Sequence, residues 1–318
     1  MIKPLLSLLL CVSALSVSAQ PTVSVGRGGI TAEMLQQMRK SHPTTNADRA
    51  LRNALAGTSI NQLATQANNP DATDRHFSNE VPSKGITDQK SSGRCWLFTG
   101  LNVMRSQMIR QYGLGDFQFS QSYSFFYDQL EKSNLFLQAV IDNAKKPMSD
   151  QLNDWLFKNP LSDGGTFCGV IDVVSKYGLV PADVMPESYN ANNTSRMANI
   201  LSLKLREYGL TLRKLSAAGK KSTELEKQKL QMLGTIYHIL TICLGEPVQH
   251  FTYTLRDASG KALGETKTFT PQEFYKEYVG KDLKQTYVMV MNDPSRPYHK
   301  TYTIDMDRHS YDGLQWTY

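Results

Sequence analysis

The apolar positions of this chain fall mostly into helical stripes, with two short stretches that read as strand. Leu97, Leu101, Met104 and Met108 lie at i, i+4, i+7 and i+11, one face of a helix. Gly113 and Gly115 close that pattern. Its first turn holds Cys95, and it runs for roughly four to five turns. Ser120 suits the N-cap of a second helix carrying Tyr123, Phe126, Tyr127 and Leu130. Val170, Val173, Val174 and Tyr177 mark a short helix ended by Gly178. Leu201, Leu205, Tyr208, Leu212 and Leu215 repeat every three or four residues. Met232, Ile236, Ile239 and Cys243 do the same after a break at 217–222, so the pair predicts a helical hairpin.

Beyond the hairpin, Phe251, Tyr253 and Leu255 alternate as in a strand, and Ala258-Ser259-Gly260 suits its turn. Thr270-Pro271-Gln272-Glu273 is a capping box with proline at N1, which opens a helix through Tyr278. The run from Thr286 to Met291 is apolar and β-branched, and predicts a buried strand. Upstream, Met34, Leu35 and Met38 give residues 31–40 an apolar helical side, and a second short helix is expected over 50–55. Residues 41–75 are otherwise polar.

The first nineteen residues belong to none of these elements. Met1-Ile2-Lys3 is a short basic start, Leu5 to Val17 is apolar, and Val17-Ser18-Ala19 supplies the small residues a signal peptidase reads. The expectation is a cleaved export signal, with Gln20 as the new N-terminus and a periplasmic or secreted product. The run is shorter than the eighteen or so apolar residues that span a bilayer, so no transmembrane anchor is expected. A lipoprotein reading through Cys11 is disfavoured because Leu10 stands where a small residue is needed.

With 40% hydrophobic and 20% charged residues the remainder reads as an ordinary globular chain. A net charge of +6 is a mild excess, and a solvated basic surface accounts for it. Lys220, Lys221, Lys227 and Lys229 cluster without interleaved aromatics, so nucleic acid is not an expected partner.

Removal of Cys11 with the signal would leave Cys95, Cys168 and Cys243. Three cysteines close no disulfide framework, and none has metal-ligand spacing. No metal or organic cofactor is implied. Cys243 reads as core, and Cys168 as a buried thiol close to the Gly164-Gly165 pair.

Cys95 stands apart. Gln89 precedes it by six residues, Gly93 and Arg94 lead into it, and Trp96 follows. A thiol attacks carbonyls as thiolate, and a helix N-terminus favours an anion. A side-chain amide nearby can donate a hydrogen bond to the oxyanion formed on attack. Gly93 permits a tight turn before the helix. These residues make Cys95 a candidate nucleophile and Gln89 a candidate oxyanion-hole donor.

The segment Gln89-Lys90-Ser91-Ser92-Gly93-Arg94-Cys95-Trp96 resembles the active-site motif of papain-like cysteine peptidases. With Leu101-Asn102-Val103-Met104-Arg105 it is similar, more narrowly, to the bleomycin hydrolase and aminopeptidase C family. Phe119-Ser120-Gln121-Ser122-Tyr123, Asp163-Gly164-Gly165, Lys176-Tyr177-Gly178, Pro186-Glu187-Ser188-Tyr189 and Asn292-Asp293-Pro294 follow in the family's order. The resemblance runs from about Thr87 to the last residue.

It implies an α+β papain-like fold. Residues 20–75 would be an N-terminal extension, 76–190 the helical half with the nucleophile, 191–284 a mainly helical insertion, and 285–318 the start of a sheet domain. It also implies peptide substrates, Trp96 packed under the active site, Gly164 and Gly165 as a bare backbone surface for bound peptide, and a homo-hexamer assembled partly through the insertion. The plainer expectation for the insertion is that it packs on its own domain.

A thiol needs an imidazole to take its proton and a third group to hold the ring. In papain-like enzymes the order is Cys, His, Asn, with the Asn in an Asn-Ser-Trp-Gly segment that does not occur here. His42 and His76 precede Cys95. His238 has the spacing of simple papains but stands between Ile236 and Ile239 on a helix. His250, His299 and His309 read as surface residues. The expectation is that the general base and its orienting Asn are not in this chain, so that the sequence is part of a longer peptidase or a truncated, inactive one. A cysteine aminopeptidase is the leading reading. A non-catalytic peptide-binding or assembly homologue and a papain-like endopeptidase are the alternatives.

Overall fold

The structure, a computed structural model, describes residues 28–65, 74, 76–81, 84–280, 282–304, 308–311, 313 and 316–317. The expected export signal lies outside them. The chain divides into two compact units between Phe77 and Ser78. In the first, α1 (Ala32–Ser41) and α2 (Asn46–Gly57) form where the sequence places two short helices, α3 (Ile60–Ala64) is a further one, and Thr31, Thr45 and Ser59 cap them. None of the three helices buries a residue, and Met34, Leu35 and Met38 stand exposed.

The second unit is built on α4 (Cys95–Tyr112), α5 (Gln121–Asp142), α6 (Gln151–Lys158), α7 (Phe167–Tyr177), α8 (Tyr189–Asn192), α9 (Ser195–Ala217) and α10 (Ser222–Leu244). Then follow β1 (Phe251–Tyr253), β2 (Lys267–Phe269), α11 (Pro271–Tyr278), α12 (Leu283–Thr286), β3 (Thr303–Ile304) and β4 (Trp316–Thr317). β1 and β2 form an antiparallel ribbon pairing Phe251 with Phe269, and β3 pairs antiparallel with β4.

The stripe read from the sequence is the buried face of α4: Leu97, Leu101, Met104 and Met108 are all at most 2% exposed. α4 packs on α5 and α7. Gly100 permits the approach to α7, because a Cβ there would come within 2.5 Å of Val170 Cγ2. α5 is the central helix. It meets α4, α6, α7 and both arms of the α9–α10 hairpin, which contribute Leu201, Leu205, Leu212, Ile236 and Leu240 to the same core. The hairpin therefore shares a hydrophobic core with α5.

Two expectations fail. Residues 286–291 are not a buried strand: α12 ends at Thr286, and Val288 and Val290 are 84% and 89% exposed. A β-branched run becomes a strand only beside a partner that takes its backbone hydrogen bonds. Among the described residues no strand lies there. The second is His309, which is buried at 2% exposure rather than on the surface. Its Nδ1 lies 2.6 Å from Asp128 Oδ1 on α5, and its ring packs on Trp96 with centroids 4.7 Å apart. Glycine makes the room, since a Cβ on Gly165 or Gly169 would collide with the imidazole.

Asp128 is fully buried and also pairs with Lys132 at 2.8 Å. Burial alone pushes its carboxyl up, but the Lys132 ammonium and then the His309 ring outweigh this and hold it below the usual carboxylate range. A depressed carboxyl stabilises the fold above its unfolded value, about 3.9, and that contribution fades as pH falls through the lower folded value. Asp128→Asn should therefore be less stable than wild type near neutral pH, with the gap closing below about pH 4. Urea midpoints at both pH values check this, and a gap independent of pH would refute it.

Candidate active site

Cys95 is the first residue of α4 and its side chain is exposed, while Trp96, Leu97 and Phe98 behind it are buried. Full burial of a large apolar side chain stabilises by about 2 kcal/mol. The stripe of α4 thus outweighs the absence of an N-cap, which costs about 1 kcal/mol. The absence is real: Arg94 occupies the N-cap position and gives no side-chain cap. The first N–H groups of α4 consequently have no acceptor from the N-cap side chain. Among the described residues Cys95 Sγ has no hydrogen-bond partner.

The approach to Cys95 is a knot of polar contacts. Ser92 Oγ donates to Gln89 O at 2.6 Å, and the Gln89 amide donates to Ser92 O. Gln89 is half-buried, and only one of its two amide N–H groups is used in that bond. Lys90 adopts a left-handed φ of 54°, with its N–H and ammonium both donating to Asp88. Gln89 and Cys95 are therefore two ends of one folded loop.

Arg94 is wholly buried. Its guanidinium reaches Glu187 with two bonds of 3.1 and 2.7 Å, donates to Ser92 Oγ at 3.0 Å, and lies over the rings of Phe98 and Phe125. Ser122 Oγ adds a bond to Glu187 at 2.9 Å. Asp163 acts on the other side. Its Oδ2 accepts from Gly93 N–H and from Thr194 Oγ1, both at 2.6 Å, and its carbonyl accepts the Trp96 indole N–H at 2.9 Å. Ser91 is bonded through its backbone to Asn192 and Thr194.

Gly164 and Gly165 follow Asp163 and line a pocket of about 430 Å³ with Lys132, Phe136, Trp155 and Leu161. Gly165 has a structural reason as well as the expected functional one: its Cβ would strike His309 and Trp96. Lys132 supports this loop by donating to Ser162 O at 3.0 Å and Gly164 O at 2.6 Å, with its ammonium over the Trp96 ring. Cys168 is buried and contacts Met289 through sulfur. Cys243 is half-buried against the core. His42, His76, His238, His250 and His299 are exposed.

The sequence reading missed the partnerships of Arg94 with Glu187, Asp163 with Gly93, and Asp128 with His309. Each joins residues 70 or more positions apart, and no periodicity reports such pairs. The only available signal was that Asp163 and Glu187 fall inside the family-like segments.

Removing one partner of a buried ion pair leaves a stranded charge. Glu187→Ala should lower the unfolding free energy by about 3 kcal/mol. Urea titration measures it, and a loss below about 1 kcal/mol would place the pair among exposed, weak ones.

Comparison with known proteins fits this geometry. The chain is 40% identical over 234 residues to aminopeptidase C of Lactobacillus delbrueckii subsp. lactis, covering 73% of this chain and 52% of that protein. It is 40% identical over 238 residues to human bleomycin hydrolase, covering 72% and 52%. The chain thus spans about half the length of the curated relatives it matches. The solved structure of PepW from Lactobacillus rhamnosis superposes with a TM-score of 0.84 at 35% identity, over 92% of this chain and 65% of that one. The fold is the α+β, mostly helical, papain-like one. Residues 29–318 match the Peptidase C1-like family, and the chain belongs to it.

Proposed function

We propose that this chain carries the nucleophile side of a cysteine aminopeptidase that removes N-terminal residues from peptides. The observation that carries the reading is an exposed thiol on the first residue of α4, whose next three residues, Trp96, Leu97 and Phe98, are buried. In this reading Cys95 attacks the peptide carbonyl as thiolate. The Cys95 backbone N–H and the Gln89 amide stabilise the oxyanion. Gly164 and Gly165 offer backbone to the bound peptide. The amine would leave with a proton from an imidazole that the described residues do not place at Cys95, and water then releases the acyl group from sulfur. Aminopeptidase rather than endopeptidase specificity is supported by the names of the relatives, aminopeptidase C among them.

A second reading is a peptide-binding homologue without turnover. One observation favours it: among the described residues no histidine contacts Cys95. A thiol-directed epoxysuccinyl peptide separates the two. Rapid, pH-dependent labelling of Cys95, lost in Cys95→Ala along with hydrolysis of aminoacyl fluorogenic substrates, supports the peptidase. Peptide binding with labelling no faster than that of a free thiol supports the second reading.

We also propose that the protein is exported, on the strength of the apolar run Leu5 to Val17 and the small residues that follow it. N-terminal sequencing of the protein from its native host should begin at Gln20. An intact Met1 would overturn the proposal. Among the described residues no helix is long and apolar enough to cross a membrane.

A further inference from the structure

We propose that Asp163 is a positioning residue that sets Cys95 against the Gly164-Gly165 backbone. The inference rests on the reading of Cys95 as nucleophile and of the glycine pair as a peptide cradle.

Three contacts of one residue carry it. Asp163 Oδ2 accepts from the N–H of Gly93, two residues before the thiol, at 2.6 Å. The Asp163 carbonyl accepts the indole N–H of Trp96, one residue after the thiol, at 2.9 Å. The same Oδ2 accepts from Thr194 Oγ1 at 2.6 Å. Thr194 N–H donates in turn to Ser91 O at 3.3 Å. Cys95 is therefore clasped on both sides by the residue that leads directly into Gly164.

A carboxylate accepting N–H and O–H bonds makes charge-assisted contacts, about twice as strong as neutral ones. The fit is close enough to dictate the neighbouring residue. A Cβ on Gly93 would lie 2.4 Å from Asp163 Oδ1. Lys132 fixes the loop from below, through the carbonyls on either side of Asp163, Ser162 O and Gly164 O. The nucleophile loop and the glycine loop consequently move as one body. The distance from thiol to cradle is set by Asp163 rather than by the peptide.

Two reagents tell positioning from simple reactivity. Iodoacetamide is small and reads the availability of the thiol. An epoxysuccinyl dipeptide must also lie along the glycine pair. Rates are followed by mass spectrometry of the Cys95 peptide in the full 318-residue chain. Asp163→Ala should slow the dipeptide reagent roughly a hundredfold, the scale of an ångström-sized misplacement. Its iodoacetamide rate should change by less than about threefold, well short of that loss. Asp163→Asn, which keeps an acceptor oxygen, should recover most of the rate. Thr194→Val removes a single bond and should cost about fivefold with the dipeptide reagent alone. That variant keeps the test decisive should Asp163→Ala fail to fold.

Equal slowing with both reagents, or no slowing with either, overturns the positioning role. If wild-type Cys95 does not react with the epoxysuccinyl dipeptide at all, the nucleophile reading falls and takes this inference with it. Reaction of wild type with unaffected variants removes the positioning role alone.

Discussion

A guanidinium with no exposure to water sits one residue before the exposed thiol, and the geometry of the site follows from it. Arg94 cannot lose its charge in a protein, so its burial demands a partner. Glu187 supplies two bonds, Ser92 a third interaction, and Phe98 and Phe125 close over the planar group. Because a guanidinium presents its donors in a fixed fork, it fixes direction as well as distance. The next residue in the chain is thereby turned outward while α4 runs inward. An apolar side chain at position 94 would also fill the space, but it would leave the loop free to rotate about its contact.

The same logic explains the lack of an N-cap on α4. Among the described residues, eight helices begin with a Ser, Thr or Asp whose side chain closes their first N–H groups, while α4, α7 and α9 have no such cap. At α4 the N-cap side chain gives no such bond, and its stability comes from Leu97, Leu101, Met104 and Met108 instead. A helix anchored by its core can leave its mouth unsatisfied. One anchored by its cap cannot.

This division also marks what the sequence made legible. Helices α4, α5, α7, α9 and α10 and the cap at Thr270 were readable because their signals lie within a few residues. The family-like motif from Gln89 to Trp96 was readable because it lies within one short loop. The run 286–291 misled because its strand-like composition says nothing of whether a partner strand lies alongside. His309 misled because its polar neighbours in sequence are not its neighbours in space. Trp96, Gly165, Gly169 and Asp128 surround it, and none is closer than 140 positions along the chain. The partnerships of Arg94 with Glu187, Asp163 with Gly93 and Asp128 with His309 are long-range choices, and local patterning carries no trace of them.

The character of the anchors follows from the chemistry of the residue they hold. Thiolates attack disulfides, so a disulfide next to a reactive thiol invites exchange. Hydrogen bonds from Gly93, Trp96 and Thr194 to Asp163, and from Arg94 to Glu187, cannot be attacked in this way. The other free thiols are kept back, Cys168 in the core and Cys243 half-buried on α10. The loop is thus held by contacts that a thiolate at Cys95 would not break. On the proposed reading of Cys95 as nucleophile, its sulfur can meet a peptide without putting at risk the structure that aims it.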